Sequence, residues 1–367
     1  MIGPKAVIHL DRLIENYDQI KKKLQVSHLM VVVKANAYGH GSVECAKALE
    51  EHGCESFAVF SITEGIELRD AGIKGDILIF SKLNHSFLDL AIKHNITLNI
   101  SNLDDLDIVK RFSKQHNTSP RFHVKFDTGM TRLGLNVDEA EKAFEILHES
   151  DELNYEGLYS HFATADEGDL SYAYEQVKKF KEILIKADSF GLNFKTIHFS
   201  NSGAVLNLNQ DDFNLVRVGM LVYGAYPSRE VPKDVSILPV MEFKAPIVEV
   251  RRVKKGTHIS YGGVYKTEKE CNIGVVQCGF ADGIPRPWYK NGFIGYKGKH
   301  YKIAGRICMD QFMVNFEDDH PREGDEVLIF GSNDLNSILM ETIAEEIEST
   351  PYVIATGIKG RTKLLFS

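Results

Sequence analysis

The chain has 367 residues, 43% of them hydrophobic, and carries a formal net charge of −8 without any acidic or basic block. That length supports two domains and a large core, and that charge argues against nucleic-acid binding. No run approaches the roughly 20 apolar residues that span a bilayer, and "MIGPKAVIHLDRLIENYDQI" at the start lacks the apolar stretch of a secretory leader, so a cytoplasmic protein is expected.

From the N-terminus, short apolar runs alternate with amphipathic helical stretches. The strand-like runs are "LMVVVK" (29–34), "SFAVF" (56–60), "DILIF" (76–80), "TLNI" (97–100), "RFHVKF" (121–126), "YEGLYS" (155–160), "TIHF" (196–199) and "FNLVR" (213–217). Between them, "SVECAKALEEHG" reads as a helix with Ser42 as its N-cap and Gly53 as its stop, and "SYAYEQVKKFKEILIKADSFG" as a longer one. Eight such alternations predict an α/β fold, a (β/α)8 TIM-like barrel, with an open doubly wound sheet as the alternative. After about residue 230 the helical patterns nearly vanish. Runs such as "VMEFKAPIVEVRRV", "CNIGVVQCGF" and "GDEVLIFG", separated by glycines, predict a mostly β C-terminal domain, with "YPSREVPKD" as the linker. The expected division is 10–228 for the barrel and 229–367, with residues 1–9, for the β domain. The five cysteines (Cys45, Cys54, Cys271, Cys278, Cys308) are scattered without a C-x-x-C pair, which fits a reducing compartment and neither a zinc site nor a disulfide framework.

Barrel enzymes gather their chemistry at the C-terminal ends of the strands. There the sequence puts Lys34 and Tyr38 after the first strand, Arg132 in "DTGMTRLG" after the fifth and His161 after the sixth. "HFSNSG" lies at the seventh, and Arg217, opening "RVGMLVYG", closes the eighth. Lys34 at the end of a β-branched run reads either as a strand exit into solvent or as a desolvated amine able to form a Schiff base; the convergence of polar groups favours the second. Ser- and Gly-rich loops after strands seven and eight suit a phosphate, with the Tyr38 phenol nearby. Phosphate, a lysine that captures an aldehyde and an arginine for a ring nitrogen together describe pyridoxal phosphate.

On these residues the chain resembles the alanine racemase family over nearly its whole length. "VVKANAYGHG" is similar to that family's cofactor-lysine signature, and "VKFDTGMTRLG", "HFATAD", H-x-x-N-S at 198–202, "RVGMLVYG", "SYGGVY", "GFADGIPR" and "GRICMDQ" follow in the family's order. The resemblance implies a pyridoxal-phosphate barrel with a β domain, a head-to-tail homodimer with shared active sites, an amino-acid substrate and no metal. It implies racemization of alanine for peptidoglycan. Carried over by position, Lys34 and Tyr261 of the partner subunit are the two catalytic bases, one on each face of the substrate. Both have an ordinary pKa near 10 that nearby cations must lower. Tyr38, Asn201, Ser202, Gly219, Met220 and Tyr352 hold the phosphate end. Arg217 faces the ring nitrogen, and as a permanent donor makes the ring a weaker electron sink. Arg132 contacts the cofactor and, with Met309 across the dimer, the substrate carboxylate. His161, at the cofactor, and His198 position Tyr261 and Arg217. Lys125 matches a lysine carbamylated in some members, and Asp310 stands beside Met309. Two departures are visible: Phe280 replaces the family's usual tyrosine at the entry corridor, and the C-terminus "TPYVIATGIKGRTKLLFS" follows the family only loosely around Tyr352. The alternatives are a racemase of serine or of a broader set of amino acids, a decarboxylase of the same fold, which Arg217 counts against, and a non-catalytic cofactor carrier.

Overall fold

A computed structural model describes residues 3–24, 28–208 and 213–367. Its first architectural unit is a parallel sheet of eight short strands, in chain order His28–Val32, Ser56–Val59, Asp76–Ile79, Leu98–Ile100, Arg121–Lys125, Asn154–Tyr159, Thr196–His198 and Leu215–Val218. These are the eight expected runs. Every neighbouring pair is parallel, and the first and eighth strands pair through Met30–Arg217. Between the third and fourth the ladder thins to a single parallel bridge, Leu78–Thr97, so the barrel is nearly closed. The strands are largely buried on both faces because helices cover the outside, and their lumen side carries buried polar residues such as Asn99, His123, Lys125, His198 and Arg217.

Local signals set the helix ends. Ser61 and Glu64 form a reciprocal capping box at the start of Ile62–Asp70, and the Asn102 side chain accepts from the Asp105 N–H at the start of Leu103–His116. The expected cap at Ser42 is corrected. Gly41 is the N-cap, and Ser42 is the first helical residue, its N–H taken by the Asn36 side chain. Gly53 and Gly191 adopt the positive φ expected of helix stops.

The second unit is a nine-stranded, mostly antiparallel sheet built around the long strand Met241–Val253. Register shifts at Phe243/Lys244 and Ile247/Glu249 bend that strand, so its first half pairs with Lys5–Ile8 and Glu326–Ser332 and its second half with Cys271–Val276. Lys5–Ile8 also pairs in parallel with Lys363–Phe366, bringing the two ends of the chain into one sheet. Residues 1 and 2, which the sequence reading assigned to this unit, lie outside the described residues. Two short helices, Met340–Glu346 and Pro351–Gly357, interrupt the β rhythm; the second carries Tyr352.

Candidate active site

The first barrel strand ends in an uncommon turn. Ala35, Asn36, Ala37 and Tyr38 have φ of 52°, 54°, 53° and 52°, a left-handed run without a glycine. Each such residue costs roughly 1–2 kcal/mol, so the surroundings must hold the turn. Glu64 accepts from the Ala35 N–H at 2.7 Å, and also from the Phe60 and Ser61 N–H groups. His40 Nδ1 lies 3.0 Å from both the Ala37 and Tyr38 carbonyls and therefore carries a proton; burial lowers the pKa of this imidazole to about 4. The turn separates Lys34, whose Nζ lies 5.9 Å from the Phe80 ring centre, from Tyr38, which packs against Tyr223 and Tyr352.

Two amines in this mouth are depressed. Burial, followed by the charges of Arg132 and Arg217, lowers the Lys34 pKa against the opposing pull of Glu64. Lys125, on the fifth strand, is pushed down to about 7 by burial and then by Arg132 and Arg217, with Asp127 opposing. Arg132 itself is exposed on the "DTGMTRLG" loop. Asp127 Oδ1 gathers that loop by accepting from the N–H groups of Gly129, Met130 and Thr131 at 2.8, 2.9 and 3.1 Å. Gly134 closes it at φ 139°, where a Cβ would stand 2.5 Å from the Asp127 nitrogen.

Across the barrel lumen runs a polar column. Arg217 is 3% exposed and donates to His198 Nδ1 at 2.7 Å, to the Ser160 and Phe199 carbonyls and to His161 Nδ1 at 3.1 Å. Desolvation lowers its pKa only to about 10, so it stays charged at neutral pH. Tyr159 stacks on His198 at 4.5 Å and donates to Asn99. The cations Arg217 and Lys125 approach the Tyr159 ring to 5.3 and 5.6 Å. Burial together with Arg217, and for His161 also Lys125, keeps His161 and His198 neutral, their pKa values well below the ordinary imidazole range.

A second cluster lies beyond the turn. Ser202 Oγ accepts from the Gly219 N–H at 3.2 Å, and a Cβ on Gly219 would stand 2.6 Å from the Tyr38 hydroxyl. The Tyr352 ring is 5.7 Å from that of Tyr38. Burial raises both phenols far above their ordinary range, so they remain neutral donors. Asn201 caps the short helix from Ser202 by accepting from the Ala204 N–H, and Met220 is fully buried beside Gly219. Neutral hydroxyls and backbone N–H groups around a glycine cradle fit a phosphate, and an activated amine with a buried guanidinium fits an aldehyde-bearing ring. Gly219→Ala is expected to displace the Tyr38 phenol and weaken cofactor affinity at least about tenfold. Equilibrium dialysis checks this, and unchanged affinity would remove Tyr38 from the anion cradle.

The remaining expected residues lie on the other unit. Tyr261 is 67% exposed in the turn Tyr261–Gly263, and Met309 is 56% exposed. Ser260 bonds the Arg306 carbonyl, and the Phe280 N–H bonds that of Cys308, so the Tyr261 turn, the Met309 loop and Phe280 adjoin one another. Asp310 pairs with Arg361 at 2.8 Å, and Arg361 also forks onto the buried Asp282. The charges that shift Lys34 all come from the barrel; Tyr261 and Met309 are not among them. Sequence reading missed Glu64, Asn99, His123 and Tyr159. For His123 a signal existed: two residues before Lys125 on one strand, it shares that residue's face.

The fold and site define an α/β barrel with two amines at its mouth, Lys34 and Lys125, whose pKa values lie below that of an ordinary lysine. Residues 8–227 match the family description "Alanine racemase, N-terminal domain" and residues 240–366 match "Alanine racemase, C-terminal domain". Alanine racemase 2 of Caldanaerobacter subterraneus subsp. tengcongensis is 36% identical over 369 residues, covering 100% of this chain and 95% of that protein. A solved alanine racemase of Clostridium difficile 630 is 35% identical with a TM-score of 0.92, covering 100% of this chain and 96% of its own. The alanine racemase of Bartonella henselae, solved with covalently bound pyridoxal phosphate, has a TM-score of 0.90 over 100% of both chains; at 24% identity it shows the shared fold. The chain belongs to the alanine racemase family and is an isomerase.

Proposed function

We propose that the protein interconverts L- and D-alanine with pyridoxal 5'-phosphate, as a homodimer whose two subunits share each active site. The observation that carries this reading is the juxtaposition of the depressed Lys34 amine with the buried, charged Arg217 at one barrel mouth. When bound, the cofactor supplies an electron sink that makes the α-hydrogen of an amino acid acidic.

The chain's own residues do the rest. Tyr38, Ser202, Gly219, Met220 and Tyr352, with Asn201 fixing the loop, hold the phosphate end; Lys34 is the attaching amine. Among the described residues, the Arg217 Nε–H and one Nη1–H take no protein acceptor and are available to the ring nitrogen. A charged arginine there limits electron withdrawal and so disfavours side reactions. Arg132, on the loop gathered by Asp127, receives the substrate carboxylate together with Met309 of the partner subunit. Lys34 and Tyr261 of the partner subunit take and return the α-proton on opposite faces. His161 accepts from Arg217 through Nδ1, so its proton sits on Nε2, which serves as the donor to the incoming tyrosine. The apolar exposed face of Tyr261, Val264, Phe280 and Met309 supports the shared site, since a second copy would cover it. We assign residues 10–228 to the barrel and 229–367 with 1–9 to the β domain. We place the enzyme in the cytoplasm and its product in peptidoglycan synthesis. Among the described residues no helix is long and apolar enough to cross a membrane.

The test is the purified protein with cofactor added, followed by optical rotation on L-alanine, L-serine and L-lysine in parallel. Fastest decay with alanine is expected. Faster decay with serine or lysine would shift the substrate assignment, and inertness toward all three would favour a carrier.

Lys125 gives a separate prediction. With its pKa at about 7, half of the amine is neutral at that pH, and a neutral amine adds carbon dioxide. The carbamate should therefore build up as pH rises through about 7 and vanish below it. A carbamate carbon-13 signal after labelling with bicarbonate, absent in Lys125→Ala, checks this. No signal at pH 8 would leave Lys125 a free amine.

A further inference from the structure

The polar column continues past the residues that the proposed function uses. His123, on the strand Arg121–Lys125, is buried with Nδ1 2.8 Å from His198 Nε2. Its Nε2 lies 3.4 Å from Thr196 Oγ1, and that hydroxyl lies 3.4 Å from the Glu156 carbonyl.

One end of this chain fixes every bond in it. A guanidinium has donors only, so Arg217 Nη1–H donates to His198 Nδ1. A neutral His198 then carries its proton on Nε2 and donates to His123 Nδ1. That leaves His123 protonated on Nε2, donating to the Thr196 hydroxyl, which passes its own hydrogen to the Glu156 carbonyl. One tautomer of each histidine, and no other, satisfies all four contacts. Burial, helped by Arg121, Arg217 and Lys195 and opposed by Asp76, lowers the His123 pKa to about 3, so the Nδ1 lone pair is available at working pH.

We propose that His123 is a positioning residue for Arg217: by accepting the Nε2 proton of His198, it locks the tautomer of His198 that offers a lone pair to the guanidinium. Without that acceptor the His198 proton can move to Nδ1, where it would face Arg217 donor to donor and turn the guanidinium aside. The relay stands on geometry alone; its effect on turnover rests on the reading of Arg217 as partner of the ring nitrogen.

The experiment uses holoenzyme labelled with nitrogen-15 histidine, in which long-range proton–nitrogen correlations read each tautomer. His198 and His123 should both appear as Nε2–H. His123→Leu removes the acceptor, whereas His123→Asn keeps one near the Nδ1 position. His123→Leu should give His198 a mixed tautomer, shift the visible absorbance of the bound cofactor and lower kcat about tenfold, with KM within about twofold. His123→Asn should restore most of each. An Nδ1-protonated or doubly protonated His198 in the unsubstituted enzyme overturns the relay, as does a His198 tautomer unchanged in His123→Leu. A changed tautomer with unchanged kcat supports the relay and overturns the reading of Arg217. Should His123→Leu fail to fold, the unsubstituted spectrum and His123→Asn decide, and an Nδ1-protonated His198 in either overturns the proposal.

Discussion

Lys34→Ala is expected to lower racemization by at least about 10⁴-fold and to abolish covalent retention of the cofactor. An ordinary exposed lysine is almost wholly protonated at neutral pH. Lys34 is not ordinary, because burial and the charges of Arg132 and Arg217 favour its neutral form. On the proposed roles, truncation removes both the attaching amine and one of the two proton-transfer groups. Lys34→Arg should fare no better, since a guanidinium remains protonated. The neighbouring Lys125 is also depressed, to about 7, but it leaves the barrel from a different strand. The checks are kcat in both directions and cofactor content after denaturing dialysis. Survival of a tenth of the native kcat would overturn the assignment.

Tyr261→Phe is expected to lower kcat about 10³-fold while cofactor is retained. The variant keeps the ring and deletes the phenol, so loss of activity reports proton transfer rather than packing. With Lys34 intact, one enantiomer of alanine should still exchange its α-hydrogen in deuterated water, now without inversion. A further consequence follows from the 67% exposure of this side chain on its own chain. If each site joins Lys34 of one subunit to Tyr261 of the other, a heterodimer of Lys34→Ala and Tyr261→Phe chains contains one wholly native site. Mixing the two inactive variants under exchange should then restore up to about a quarter of native activity, from half the dimers with half their sites. No recovery would place both groups on one chain.

The barrel was legible because its signal is local. Eight apolar runs between amphipathic helices appear in the sequence at the positions where the strands form, and the change of rhythm near residue 230 precedes the long strand Met241–Val253 of the antiparallel sheet. The misplaced cap at Ser42 follows from the left-handed turn: the Asn36 side chain it positions accepts from the Ser42 N–H, and Ser42 becomes the first helical residue. The helix carrying Tyr352 was hidden among strands because seven residues are too short for a periodic pattern.

By itself, the sequence determined the order of the barrel strands, the polar groups at their ends, and the motifs that carry the family resemblance. All of these depend on residues close together along the chain. Only the tertiary structure decided how the left-handed turn after Lys34 is held, which amines have their pKa lowered, and that a histidine column links Arg217 to the far side of the barrel. The His123–His198 bond joins residues 75 apart in sequence, and the depressed amines answer to charges brought in from other strands. Desolvation and hydrogen bonding act through space, so no period or propensity along the chain records them.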